Sequence, residues 1–170
     1  MLRSLLNTKK TFLIPGTFDA LSALIAKQAG FKALYLSGFG VAGSMLAKPD
    51  IGLVTASEMT ERARQVVAAV GDTPLIADGD NGYGGENNVA RLVNAYEQAG
   101  VQSVQLEDQV SPKRCGHMNE KQVVTLEEAV GKIATAVRSR QSKEFQIMAR
   151  TDARATHGLD EALKRGEAFL

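Results

Sequence analysis

Five short apolar runs follow one another along the chain, each succeeded by a longer stretch with helical spacing. Residues 12–16 read as a strand ending in a turn, and residues 33–36, 74–77, 101–106 and 145–149 as four more strands. Between them, residues 19–29 and 87–99 read as helices, each closed by a glycine. Thr55 and Glu58 form a capping-box pair opening a helix that reaches about Val70, and Thr125 opens another that reaches about Arg140. Residues 159–170 begin a further helix. Repeated strand–helix alternation implies a parallel sheet with helices outside it. A doubly wound open sheet and a (β/α)8 barrel both satisfy the pattern. A barrel needs eight units and typically about 250 residues, and five units are visible. The amphipathic pattern over 159–170 runs to the last residue with no capping glycine and no closing proline. The expectation is a truncated chain, with residues 1–170 forming the N-terminal part of a single barrel catalytic domain.

Bulk properties exclude several classes of function. A formal net charge of +1 offers nothing to attract nucleic acid or an anionic membrane, and aromatic residues at 5% with no Trp supply no base-stacking platform. The first ten residues are too short a run for a signal peptide, and no apolar stretch is long enough to span a bilayer. A single cysteine cannot form an internal disulfide, so a cytoplasmic setting is expected.

Chemistry gathers where the strands end. Ser37, Asp78, Glu107 and Arg150 each follow an expected strand, and in parallel α/β proteins these ends converge on one functional face. Asp78, Asp80, Glu107 and Asp108 form a carboxylate cluster on adjacent strands, which would repel itself unless a cation or protons intervene. Mg2+ suits such an all-oxygen set, with Mn2+ as a substitute, whereas Cys115 and His117 are too few soft ligands for zinc. The polar segment over about residues 108–122 is long for a strand–helix connection and reads as a mobile lid. Within it, Lys113, Arg114 and His117 surround the thiol of Cys115 and would bind carboxylates. Residues 38–43 match the G-x-G-x-x-G pattern of dinucleotide sites. The acidic residue that pattern needs is missing, because Glu58 and Glu61 fall in a helix and Asp78 is too far along.

The chain resembles the isocitrate lyase/phosphoenolpyruvate mutase superfamily, in particular its small lyase branch of methylisocitrate and 2,3-dimethylmalate lyases. The resemblance rests on residues 15–23 (PGTFDALSA), 34–38 (LYLSG), 49–53 (PDIGL), 77–84 (ADGDNGYG), 106–117 (LEDQVSPKRCGH) and 148–153 (MARTDA). It implies a (β/α)8 barrel, Mg2+ and a homo-oligomer, usually a tetramer. Asp80 would ligate the metal most directly, and Asp78, Glu107 and Asp50 would hold it partly through water. Ser37, Gly38 and Phe39 would bind a substrate carboxylate, and Arg150 would clamp the oxo-acid end. Tyr35 would take part in proton transfer. Cys115 would be the general acid, with Lys113, Arg114, Gly116 and His117 as lid companions.

The activity so implied is carbon–carbon cleavage of a 2-hydroxy di- or tricarboxylate to a 2-oxo acid and a second carboxylate. The metal would act as a Lewis acid and Cys115 would protonate the carbanion. In this resemblance the phosphonate-forming mutases lack the K-R-C-G-H loop, which argues against phosphonate chemistry. Oxaloacetate decarboxylation, phosphonomutase-type chemistry and an inactive fragment are the competing expectations.

Overall fold

The computed structural model describes residues 2–8 and 10–170. Five strands form one sheet: β1 (Gly16–Thr17), β2 (Leu34–Leu36), β3 (Leu75–Asp78), β4 (Ser103–Glu107) and β5 (Gln146–Arg150). Every pairing is parallel and the spatial order is β1-β2-β3-β4-β5, the order of the sequence. A doubly wound sheet reverses its strand order at a switch point, and this sheet has none.

The helices decide the architecture. In chain order they are α1 (Leu2–Leu6), α2 (Ala20–Gln28), α3 (Gly38–Leu46), α4 (Ala56–Val70), α5 (Glu86–Gln98), α6 (Leu126–Ser139), α7 (Ala153–His157) and α8 (Leu159–Ala168). Helix α2 packs on α4, α4 on α5 and α5 on α6, forming one continuous outer layer. A single helix layer over sequentially ordered parallel strands is the wall of a (β/α) barrel.

Alternation along the strands separates the two faces. Leu34, Leu36, Leu75, Ala77, Val104 and Leu106 face the helices and join Met59, Val66, Val89, Leu92, Val93, Tyr96 and Ile133 in the main core. Burying each such side chain contributes about 1.5–3 kcal/mol, so this outer core is the principal source of stability. The other row of the same strands points to the barrel interior. Register aligns it in layers: Tyr35 beside Ile76 beside Ser103 beside Gln146, then Asp78 beside Gln105 beside Met148, then Glu107 beside Arg150. Near the strand starts, Leu2 of α1 packs on Ala33 and Ile76 with Phe12 and Ile14 around them. The upper layers are charged.

Local signals set several boundaries. Thr55 Oγ1 accepts from the Glu58 amide, and a Glu58 carboxylate oxygen accepts from the Thr55 amide at 2.8 Å, the expected capping box. Thr125 caps α6 by the one-way bond alone, its Oγ1 accepting from the Glu128 amide at 3.2 Å. Two expectations shift. Residues 12–15 form no strand, and β1 is only two residues long. Residues 38–46 form α3, a helix hidden by its glycines, with Ser37 as N-cap. Among the described residues no helix is long and apolar enough to cross a membrane.

Candidate active site

The inner row delivers its polar side chains to one end of the sheet. A cavity of about 370 Å3 opens there, lined by Tyr35, Ser37 and Phe39, by Asp50, Asp78 and Glu107, and by Lys113, Cys115, Gly116, His117 and Arg150. Asp78, Glu107 and Arg150 are the last residues of β3, β4 and β5, so the strand ends place them directly. Asp50 comes from the loop after α3, and the residues from Lys113 to His117 from the segment between β4 and α6.

That segment is a closed loop. Its stems pair at the neck, where Val110 N donates to Gln122 O (3.0 Å), Val124 N donates to Asp108 O (2.9 Å), and Gln109 bridges Val123. Cys115 is buried beneath it. Gly116 lies against Arg150 so closely that a Cβ there would stand 2.7 Å from Nη2, so any side chain would force the loop and the guanidinium apart. Lys113 reaches inward. Its Nζ is 2.6 Å from Asp50 Oδ1 and 2.7 Å from Asp80 Oδ1, and all three side chains are at least nine-tenths buried.

The remaining carboxylates are held from several directions. Asp78 Oδ2 accepts from Gly38 N at 3.2 Å, and its Oδ1 accepts from Asp80 N at 3.1 Å. A Cβ on Gly38 would come within 2.9 Å of Asp78 Oδ2, so the close approach of α3 requires glycine. Asp80 takes a left-handed φ of +46°, a strained conformation for a non-glycine residue in so buried a position. Glu107 Oε2 is 3.1 Å from Arg150 Nη1. Its Oε1 is buried with no hydrogen-bond partner, and Asp80 Oδ1 also accepts no well-formed hydrogen bond despite its ion pair.

Charge crowding shifts the titration of these groups. Burial raises the Glu107 carboxyl, Arg150 pulls it back only in part, and it rests at about 8. Burial and neighbouring Asp78 raise Asp80, and Lys113 does not fully offset them. Burial opposes the charge on Lys113, but Asp80 and Asp50 outweigh it and raise the ammonium above its ordinary value. Tyr35 is pushed well above its usual range, first by burial and then by Asp78, so its hydroxyl keeps its proton.

These residues fit a divalent cation. Asp50, Asp78, Asp80 and Glu107 are four carboxylates facing two cations, Lys113 and Arg150. Among the described residues, no three His, Cys, Asp or Glu side chains already converge at ligating spacing. Mg2+ does not require that, since it uses one or two carboxylates and keeps several waters. The buried, unpartnered Glu107 Oε1 is a hard oxygen donor of the sort it takes.

Most of the residues expected from sequence therefore meet in one place, and three stand apart. Arg114 turns outward and its Nη1 pairs with Glu120 at 3.2 Å. Gly38 lies behind the cavity and spends its amide on Asp78. Ser37 does line the cavity, but its hydroxyl caps α3 by accepting from Gly40 N at 3.2 Å. The expected inclusion of Asp108 in the acidic cluster is corrected. Its carboxylate turns away from Glu107 and accepts from Thr151 Oγ1 (2.6 Å), Asp152 N (2.9 Å) and Arg165 Nη1 (3.0 Å), tying β5 to α8. Sequence reasoning gave no role to Gln109 or Asp152. Asp152 holds Arg150 Nη2 at 3.1 and 3.0 Å, and its place two residues after Arg150 was the available signal.

The family model for phosphoenolpyruvate phosphomutase matches residues 2–170. The chain belongs to this family. Among relatives, it is 52% identical over 168 residues to the 2,3-dimethylmalate lyase of Eubacterium barkeri, covering 99% of this chain and 58% of that protein. Among solved structures, it resembles oxaloacetate acetylhydrolase in complex with 3,3-difluorooxalacetate, with TM-score 0.95 and 40% identity, covering 99% of this chain and 58% of the other. It also resembles a phosphonopyruvate hydrolase complex with oxalate and Mg++, with TM-score 0.89 and 35% identity, covering 99% and 57%. The chain thus spans somewhat more than half the length of these family members. The sequence resemblance to the isocitrate lyase/phosphoenolpyruvate mutase superfamily is borne out, as is the parallel barrel-type fold.

Proposed function

We propose that this chain carries the metal-binding and acid-bearing part of a Mg2+-dependent carbon–carbon lyase. Its substrate would be a 2-hydroxy di- or tricarboxylate of the 2,3-dimethylmalate or 2-methylisocitrate type. The observation that carries the reading is the convergence of buried carboxylates, an arginine and a buried thiol around one cavity of about 370 Å3. The similarity to 2,3-dimethylmalate lyase supports the reaction class, and the Mg++ complex of phosphonopyruvate hydrolase supports the ion.

Asp80 would hold the ion most directly, with Asp78, Glu107 and Asp50 around it and Mn2+ able to replace Mg2+. Once bound, the ion would supply Lewis-acid polarisation of the substrate's hydroxyl oxygen. Lys113 must give up Asp50 and Asp80 for these roles, which moves its ammonium toward the substrate carboxylates. Arg150, fixed by Asp152, would clamp the oxo-acid end bidentately. Tyr35 retains its proton and can donate a hydrogen bond to the reacting oxygen. As the carbon–carbon bond breaks, the substrate hydroxyl would lose its proton to an ionised site carboxylate. Cys115 Sγ would pass its proton to the carbanion of the departing carboxylate fragment and be left as thiolate. With Arg114 turned toward Glu120, His117 is the cavity's remaining lid group for that fragment's charge. Phe39 and Gly116 close the sides of the cavity, and closure of the loop would exclude water.

The chain is expected to act as part of a single barrel catalytic domain, in a cytoplasmic homo-oligomer that is tetrameric in the family. The test is release of a 2-oxo acid from 2,3-dimethylmalate and 2-methylisocitrate, with and without EDTA. Metal-dependent release from one of them is the expected result, and turnover that persists in EDTA would overturn the metal role. A second reading has oxaloacetate as substrate, favoured by the likeness to oxaloacetate acetylhydrolase. Oxaloacetate in the same assay separates the two.

A further inference from the structure

The neck of the loop contains a residue with a use beyond closing it. The buried Gln109 makes three side-chain hydrogen bonds to two neighbours. Its Oε1 accepts from Arg114 N at 3.0 Å, and its Nε2 donates both to Arg114 O (2.9 Å) and to Asp152 Oδ2 (2.9 Å). Only a side-chain amide can accept from a backbone N–H and donate to the carbonyl of the same residue while keeping one more N–H for a carboxylate. The residue so clamped is the one directly before Cys115. The carboxylate so bound holds the guanidinium of Arg150.

We infer that Gln109 is a positioning residue that sets Cys115 against Arg150, joining the loop backbone beside the thiol to the arginine through Asp152. This rests on the lyase reading for its purpose, because Cys115 and Arg150 are the proton donor and the carboxylate clamp of that reading. The neck hydrogen bonds at residues 108–110 and 122–124 close the loop, and within it Lys113 is tied to Asp50 and Asp80 and Gly116 O accepts from Lys121 Nζ at 2.5 Å. The Gln109 clamp fixes the tip side, five residues further along the chain. A hydrophobic residue at 109 would fill the same volume and leave the Arg114 amide and carbonyl without partners. Glutamate would keep the acceptor, lose both donors and face Asp152 with like charge.

The test needs no turnover, so its failure is distinct from failure of the lyase reading. Cys115 is the one cysteine of the chain, so alkylation by iodoacetamide reports on that thiol alone. In the wild type, labelling should be slow because the thiol is buried. In Gln109→Ala and Gln109→Glu, labelling should be about tenfold faster or more, as expected when hydrogen bonds to buried backbone are lost. The gain should be insensitive to dilute urea, the signature of a local opening, while a merely structural effect would rise with urea along the global unfolding slope. Labelling unchanged from wild type in folded variants, or a gain that follows global unfolding, would overturn the inference. If neither variant folds, native-state hydrogen exchange of the wild type decides. The Arg114 amide should be protected relative to His117, and equal exchange at the two would overturn the clamp.

Discussion

Replacing Glu107 by glutamine should stabilise the metal-free protein, and the size of the effect can be worked from the site. The Glu107 carboxyl moves from an ordinary 4.5 to about 8, with burial as the leading cause. A carboxyl held above its unfolded value binds its proton more tightly in the native state. Its contribution to stability is therefore complete below 4.5 and is lost as pH rises toward 8. At pH 7 the loss amounts to at most about 3 kcal/mol, and water entering the cavity lowers the realised value to about 1–3 kcal/mol. Glutamine carries no ionisation to suppress, while Arg150 retains Asp152. In a chain of this size each kcal/mol shifts the melting temperature by about 2–4 °C, so the Glu107→Gln variant should melt roughly 2–12 °C above the wild type at pH 7. At pH 4.5 the two should coincide. Saturating Mg2+ should reverse the order at pH 7, because an ion at 100 times its Kd adds about 2.7 kcal/mol to the protein that binds it. The assay is a set of thermal melts across pH with and without Mg2+. A melting difference independent of pH, or equal stabilisation of both proteins by Mg2+, would refute the reasoning.

Other outcomes follow from the same geometry. Cys115→Ser should lower lyase turnover by about 100-fold or more, the contribution typical of a positioned general acid, and leave KM nearly unchanged in steady-state kinetics. Gly116→Ala should raise KM for the carboxylate substrate more than it lowers kcat, since its Cβ would meet Arg150 Nη2 at 2.7 Å; equal effects on both would point elsewhere. Asp108→Ala takes the buried partner from Arg165 Nη1 and leaves that guanidinium only Glu161, 2.9 Å from Nε, so it should cost about 3 kcal/mol in chemical denaturation. It should leave Mg2+ affinity of the folded protein unaltered when measured by calorimetry. Because Glu107 must lose a proton before it can serve the ion, Mg2+ affinity should climb as pH rises toward about 8 and then level off.

How far the sequence could be read depended on the distance over which each feature is determined. The capping box of Thr55 and Glu58 was legible because capping is settled within one turn. The face that gathers the polar side chains was legible because parallel strands bring their C-terminal ends together, so Asp78, Glu107 and Arg150 could be placed without knowing which strands were neighbours. Helix α3 was hidden by local propensity, since three glycines in nine residues argue against a helix. Its cap at Ser37 and the bond from Gly38 to Asp78 belong to the tertiary structure. The same holds for adjacent residues with opposite fates. Nothing in the string Glu107-Asp108 says that one carboxylate faces the cavity while the other seeks an arginine 57 positions away. Nor does Lys113-Arg114 reveal that the first side chain enters the site and the second leaves it. The Gln109 clamp spans 43 residues to Asp152, and its partner could be identified only in three dimensions.

The neck that joins residues 108–110 to 122–124 also divides the chain into parts of unequal tolerance to insertion. Lengthening β4 by one residue would move Glu107 off the inner row and dismantle the carboxylate frame. Lengthening the chain between the two stems would alter only what arches over that frame. Lineages could therefore exchange one loop for another while inheriting the acidic floor intact. Relatives that share this sheet while bearing names as different as lyase, acetylhydrolase and phosphonopyruvate hydrolase are what such modular inheritance would leave behind.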